Sequence, residues 1–548
     1  MSKLLFSVHN REASFKDSLE ECFDIIIIGG GITGAGIALD AVCNKMKVLL
    51  LEKDDYASGT SGKSTKLIHG GLRYLKQFEF KMIHDVGRER KILYENARHI
   101  VRPEKMLLPI YKHGSLGLFS SITALWVYDF LGGVNKEERK KILDKEQIKK
   151  TEPLLKNKDL QAGGIYYEYR TDDARLTIEV MKTAVNMGAT CLNYTEVTEY
   201  IYNERGIIIG VNANDKIAQK EVVFKSKVVI NAAGPWVDRV RVMDKYQEGK
   251  KLMLTKGVHL VFPHKKIPIS QSIYFDTNDG RMMFAIPRQN ITYIGTTDTI
   301  FFEEMDEPKV SKKDIDYLIE NLCNTINVAV LPSDIVSSWA GLRPLVFEEG
   351  KSPSEVSRKD EIFVSKSGLI SIAGGKLTGY RLMAEQVMKK VYHQLSITPQ
   401  NSTKNKRLVG GEFKDEQSIE KYRNQIIEEG ALISIDETQV LNWLYRYGTQ
   451  TSKILDKIKD FDEIEKSDKD VGILAELHFA IENESVYTLS DFLIRRSGIL
   501  YFESEKITNI LCEKLNNKIG LMLKKSKKET ENSLEDFKKR WKESCFFD

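Results

Sequence analysis

The sequence predicts an α/β fold joined to an α-helical C-terminal region, and three observations carry that expectation. An unbroken apolar strand at residues 25–28 stops at Gly29, Gly30 and Gly31 and gives way to a helical pattern over residues 32–44. Apolar and polar residues alternate with period two through residues 252–299, as antiparallel strands do. From residue 410 onward the text is charged and helical. At 548 residues the chain exceeds one ordinary core, so two or three domains are expected. With 82 basic against 78 acidic residues, charge supplies no argument for a nucleic-acid partner. The six cysteines are dispersed without a C-x-x-C pair, which suits a reducing compartment and argues against zinc or an iron–sulfur cluster.

In chain order, residues 1–22 mix Lys3, Arg11 and Lys16 with four acids and lack an apolar core for secretion, so they read as a leader strap. The strand at 25–28 then enters G-x-G-x-x-G at Gly29, Gly31 and Gly34. The first glycine permits the tight turn, the second lets backbone approach a pyrophosphate, and the third lets the following helix lie close to the strand. The positive end of that helix faces the phosphates. A second buried strand at 47–51 ends in Glu52, where a carboxylate can accept hydrogen bonds from a ribose. Strand, glycines, helix, strand and terminal acid together make a Rossmann-like unit for an ADP-containing dinucleotide. An ordinary strand-to-helix turn would leave the acid unexplained.

The next loop, SGTSGKSTKLIHGGLRYL, is rich in hydroxyls and suited to laying backbone N–H groups along a cofactor. Together with GGGITGAG it resembles the FAD-dependent glycerol-3-phosphate dehydrogenases, whose closely similar segment lies against the flavin. The resemblance runs through about residues 22–510. It implies a fold similar to D-amino-acid oxidase, with an FAD-binding domain over 23–400 interleaved with a substrate domain whose sheet lies mainly at 250–345. A linker at 401–409 and a helical domain at 410–548 follow. For the cofactor it implies Gly29, Gly30, Gly31, Thr33, Gly34, Glu52, Thr65, Lys66, Leu67, His69, Gly234, Trp236, Gly375, Lys376, Leu377 and Thr378. Arg73 and Tyr74 would help to hold the substrate. Gly62 and Lys63, where relatives often carry serine or arginine, and Gly379, where threonine is usual, depart from the pattern without removing a charge from the site.

Residues 78–112 read as a helix that ends before Pro103. The apolar segment 116–131 is shorter than the ~20 residues a membrane span needs and contains Asp129. It reads as a packed helix, with a shallow membrane-contacting helix bearing Trp126, Tyr128 and Phe130 as the alternative. In 168–188 the tetrapeptide DDAR matches the family, and Asp172 or Asp173 is a helix cap on the plainer view. Short strands follow at 191–202 and 206–213, then a strand at 222–230 that closes on glycine near Gly234 and Trp236.

Within 252–299 stands His259. An isolated histidine in a strand is more often structural than catalytic; the family's K-G-x-H motif assigns it to the active site. A helix at 311–330 precedes WAGLRPL. A phosphate monoester calls for planar guanidinium forks, and the resemblance gives that role to Arg343 and Arg358. A strand at 369–373 turns at Gly374 and Gly375 into a helix from Leu377. The helix start and Lys376 can stabilise negative charge on a reduced flavin. In the C-terminal region, TLSDFLIRRSG resembles the family's helical domain. The tail reads as a solvated helix, with Trp541, Phe546 and Phe547 as a membrane or partner contact in the alternative.

The resemblance implies oxidation of sn-glycerol 3-phosphate to dihydroxyacetone phosphate, with hydride transfer to flavin N5. The catalytic set would be His259 as base or hydroxyl-orienting group, Arg343 and Lys376. Arg73, Tyr74, His259, Arg343 and Arg358 would hold the substrate. Electrons would pass to a quinone at the inner face of the cytoplasmic membrane, from a cytoplasmic, peripherally attached protein, with no metal. A homodimer is left open. The rival readings are an oxidase that makes hydrogen peroxide from oxygen, an amine or amino-acid oxidase of the same fold, and a flavin-binding scaffold or sensor without turnover.

Overall fold

The computed structural model describes residues 6–69, 80–112, 114, 139–246, 250–303, 305–347 and 360–547. Arg73, Tyr74, Arg358 and the segment 116–131 lie outside them.

The first sheet is built around the strand Cys22–Ile28, which pairs in parallel with Val48–Leu51 on one side and Lys220–Asn231 on the other. Beyond these lie Thr190–Leu192 and Ile370–Gly374, also parallel. Register aligns Ile28 with Leu51 and Asn231, so the carboxyl ends of the strands open on one crevice. The strands lack polar alternation because both faces are covered. Ile25, Ile27 and Leu50 pack under the helices Ile32–Cys43, Asp173–Asn186 and Tyr380–Leu395. Ile26, Leu49 and Leu51 pack under the antiparallel strands Thr195–Tyr202, Ile208–Asp215 and Lys220–Asn231 through Val197, Val211 and Phe224.

The second sheet is mainly antiparallel and runs through ten strands. Its Leu252–Pro263 strand lies between Ile291–Gly295 and Ser337–Val346, with His259 opposite Gly295 and Trp339, and Thr255 opposite Arg343. One face packs on the helix Lys312–Thr325 through Ile315, Leu318 and Leu322. The other faces the crevice of the first sheet. The chain passes between the sheets several times, so the two units are interleaved.

Some expectations shift. Of the helix expected over 78–112, the described residues form Phe80–Asn96, and Arg102–Tyr111 is a strand. That strand is recruited by pairing with Leu160–Arg170 and Ser272–Asp276, partners distant in sequence. The helix expected over 311–330 is Lys312–Thr325. The helix from Leu377 begins as a 3-10 turn, Leu377–Gly379, before Tyr380–Leu395. Asp172 is the cap of Asp173–Asn186, accepting from the Arg175 N–H at 3.2 Å.

The C-terminal domain is helical, with Trp443, Tyr447 and Phe492 fully buried in its core. Its contact with the rest joins an apolar cluster, in which Trp339 meets Tyr501 at 5.2 Å, to buried ion pairs. Arg496 donates to both oxygens of buried Asp55 at 2.8 Å, and Glu484 accepts from Arg175 at 2.6 Å and Lys182 at 2.8 Å. Against burial, which pushes the Asp55 carboxyl up, Arg496 and Arg495 hold it below its usual range. The N-terminal segment is docked too: Arg11 pairs with Asp215 at 2.8 Å, and the Ser7 hydroxyl donates to the Ile481 carbonyl at 3.5 Å.

Candidate active site

A cleft of about 570 Å³ runs from the carboxyl ends of the parallel strands to the face of the second sheet. At its first end Gly29 sits at φ +114°, a conformation L side chains rarely adopt, and an added Cβ would stand 2.6 Å from the Ala232 carbonyl oxygen. A Cβ on Gly34 would stand 2.0 Å from the Gly29 carbonyl oxygen, so strand turn and helix touch. The helix Ile32–Cys43 starts at Gly31 without a side-chain cap, and the Ile32 N–H donates to the Ser61 hydroxyl at 2.9 Å. Glu52 accepts from the Gly30 N–H at 2.6 Å and the Asp54 N–H at 2.9 Å. Burial first, then the Asp54 carboxylate, push its carboxyl up to about 7.

At the other end, glycines of the second sheet let the side chains of Arg343, Thr296, His259 and Lys63 lie close against its strands. Gly257 and Gly341 are opposite each other, as are His259 and Gly295. The His259 ring covers Gly295, where an added Cβ would meet its Cδ2 at 2.2 Å. The ring stacks on Trp339 at 4.9 Å and an interplanar angle of 13°, and its Nε2 shares a hydrogen bond with the Thr65 hydroxyl at 2.9 Å. Its Nδ1 has no partner among the described residues. Burial first, then Arg343 and Lys66, hold its pKa well below the usual histidine value, so the ring is neutral at neutral pH.

Arg343 is held by three contacts at 2.9 Å, from Nη1 to the Thr297 carbonyl and the Asp298 carboxylate and from Nη2 to the Thr296 hydroxyl. These fix the plane of the guanidinium at the cleft wall. Lys376, the turn Leu377–Gly379 and Gly375 close the far side.

The cleft is therefore lined by Gly29, Gly31, Thr33, Glu52, Thr65, Leu67, His69, Gly234, Trp236, His259, Arg343, Gly375, Lys376, Leu377 and Thr378. Gly30 contributes its N–H to Glu52, and Gly34 acts through packing. The Lys66 side chain turns away, its ammonium buried against Asp173 at 2.5 Å. Arg73, Tyr74 and Arg358 lie outside the described residues. Sequence reading placed Ser61 only in a hydroxyl-rich cofactor loop, not beneath the helix start, and missed Thr296, Asp298 and the glycine row. Glycines inside strand patterns, in KGVH, YIGTTD and WAGLRPL, were the available signal for a close approach. Asp298 gave none, since its role depends on Arg343 from another strand.

These residues fit an ADP-bearing flavin. A helix start without a side-chain cap suits the pyrophosphate, and a buried carboxylate held by two N–H groups suits a ribose.

Residues 24–381 match the family model described as FAD dependent oxidoreductase, and residues 401–525 match the C-terminal domain of alpha-glycerophosphate oxidase. The chain is 47% identical over 505 residues to an aerobic glycerol-3-phosphate dehydrogenase of Bacillus subtilis, covering 91% of each chain. Among solved structures it resembles the glycerol-3-phosphate dehydrogenase of Bacillus halodurans complexed with FAD, with a TM-score of 0.85, 37% identity and 99% of each chain covered. The L-alpha-glycerophosphate oxidase of Mycoplasma pneumoniae shares the fold over 70% of this chain and 97% of its own, with a TM-score of 0.56 and 19% identity.

Proposed function

Since this chain belongs to the FAD dependent oxidoreductase family and carries the C-terminal domain of alpha-glycerophosphate oxidase, we propose that its FAD-dependent oxidation of glycerol 3-phosphate delivers electrons to a quinone. The chain is an oxidoreductase with FAD as cofactor. Its reaction removes two electrons and two protons from the secondary alcohol of glycerol 3-phosphate and gives dihydroxyacetone phosphate.

When bound, FAD supplies the acceptor for the carbon-bound hydride. The protein supplies the remainder. The observation that carries the oxidation of a phosphorylated alcohol is the convergence of a neutral His259, a fixed Arg343 and Lys376 on the cleft that begins at Glu52. The neutral imidazole of His259 orients the substrate hydroxyl and takes its proton. Arg343, its plane set by Asp298 and Thr297, binds the phosphate. A remote anchor of this kind spends its binding energy on aligning the reacting carbon. Arg358, Arg73 and Tyr74 share the substrate on the strength of the family resemblance. Lys376 and the first-turn amides after it supply positive charge where negative charge collects.

A quinone dissolved in a bilayer calls for peripheral contact with the membrane; none of the described helices is long and apolar enough to cross one. The name of the C-terminal domain favours a second reading, an oxidase that hands its electrons to oxygen. One experiment decides. Glycerol 3-phosphate added without oxygen should bleach the yellow protein, and a soluble quinone should restore the colour faster than air does. Stoichiometric hydrogen peroxide in air, with no response to quinone, would select the oxidase.

A further inference from the structure

A second cleft, of about 990 Å³, lies on the far side of the loop 58–64 and is roofed by the C-terminal domain. Ser58, Lys63 and Trp236 line both clefts, so at this point one layer of chain separates them. The loop is pinned to the strand Ser337–Val346: the Thr60 hydroxyl donates to the Leu342 carbonyl at 2.6 Å, and the Trp339 Nε1–H donates to the Ser64 carbonyl at 3.1 Å. Trp339 bridges the two spaces, stacked on His259 and walling the second cleft.

The chemistry of this cleft is uneven. Around its rim the charges are matched: Lys53 with Asp306 at 2.5 Å, Arg540 with Asp536 at 3.0 Å, Lys309 with Glu543 at 2.9 Å. Its lining also includes Trp339, Tyr501, Ile494 and Ala340, the buried group in which Arg495 is paired with Asp55 and Asp491, and Lys63. Among the described residues lining the cleft, Lys63 is the one cation with no hydrogen bond or ion pair. A phosphate or polycarboxylate would call for several unengaged donors. A single ammonium beside aromatic and apolar walls suits instead a flat, neutral molecule with a carbonyl oxygen. The rim also carries Phe546, 61% exposed, an apolar surface for a lipid-soluble ligand.

We propose that this second cleft binds the quinone acceptor, with the Lys63 ammonium beside its carbonyl oxygen; the assignment rests on the quinone reading given above. A quinone becomes its hydroquinone by gaining two electrons and two protons. The electrons are those the alcohol surrenders. One proton comes from the Lys63 ammonium, which water in the cleft reprotonates, and the other from water. Burial first, then repulsion from Arg540 and Arg495, push that ammonium down to about 8, with Glu307 and Asp54 opposing. Its proton is therefore available near neutral pH, and transfer to the acceptor fails as pH rises through about 8.

The test uses the FAD-loaded protein and duroquinone. Binding to the oxidised protein is read from quenching of tryptophan fluorescence, since Trp236 and Trp339 line the cleft. Lys63→Met and Ile494→Trp should each raise the duroquinone dissociation constant at least tenfold, while FAD content and anaerobic bleaching by glycerol 3-phosphate stay as in the parent. Lys63→Arg, whose guanidinium keeps its proton, should keep binding within about threefold but slow reoxidation at pH 7 severalfold and remove its decline above pH 8. Unchanged binding and reoxidation in both Lys63→Met and Ile494→Trp, or competition between glycerol 3-phosphate and duroquinone for the oxidised protein, would overturn the site. If the bleached parent is not reoxidised by duroquinone at all, the quinone reading falls and this site with it. If it is reoxidised, and Lys63→Met and Ile494→Trp are reoxidised just as readily, the site alone falls.

Discussion

Glu52 and His259 are both buried, and burial moves them in opposite directions with one result: each is close to losing its charge or has lost it. His259 is neutral well below neutral pH, which leaves a lone pair for a substrate proton. Glu52 titrates at about 7 before the cofactor arrives. Ribose hydroxyls donating to it favour the carboxylate, so bound FAD draws its pKa down. The unloaded protein protonates Glu52 as pH falls through about 7, and binding must then expel that proton. FAD affinity should therefore weaken below pH 7, by up to about tenfold per unit. Titrating the FAD-stripped protein with FAD between pH 5.5 and 8 measures this, and Glu52→Gln should flatten the dependence. A parent affinity independent of pH would contradict the raised carboxyl.

Among the elements, the helix Ile32–Cys43 and the turn Leu377–Gly379 both end at the cofactor cleft, yet their glycines differ in kind. At Gly34 a methyl group would meet backbone 2.0 Å away, which only a shift of the helix relieves. Gly34→Ala should destabilise the protein by about 3 kcal/mol and cost it most of its FAD, as urea unfolding and flavin absorbance would record. Gly379 has nothing within 4 Å of a Cβ, and its φ of −90° is open to any residue. Gly379→Thr should stay within about 0.5 kcal/mol by the same assay. Periodicity made such elements legible where partners are close in sequence or both faces are covered. Cys22–Ile28, Asp173–Asn186 and Leu252–Pro263 were readable for that reason. Arg102–Tyr111 was not, because pairing with the distant Leu160–Arg170 and Ser272–Asp276 makes RPEKMLLPIY a strand. In the site, the charged ends of motifs such as Arg343 and Glu52 were readable. Asp298, which holds Arg343, and the isolation of Lys63 were hidden, since both depend on elements brought together only by folding.

Across the whole molecule, buried charge ties the C-terminal domain to the cofactor-bearing half through Asp55 with Arg496, and Glu484 with Arg175 and Lys182. Removing one member leaves its partner buried and unmatched, so Asp55→Leu should cost about 3–5 kcal/mol. Adding Arg496→Met should cost less than the two single changes summed, by at least about 1 kcal/mol in thermal unfolding; strict additivity would show that the pair does not act as a unit. The interleaving of the two sheets also sets a timetable. The isoleucine-rich strand Cys22–Ile28 is made about 200 residues ahead of its partner Lys220–Asn231, on the order of 10–40 s at ordinary rates of translation. Gly375 and Lys376 emerge later still, and the Ile481 carbonyl that receives the Ser7 hydroxyl follows Ser7 by 474 residues. The glycine turn is therefore born long before it can hold anything, and until the rest of the crevice emerges FAD cannot help the nascent chain to fold.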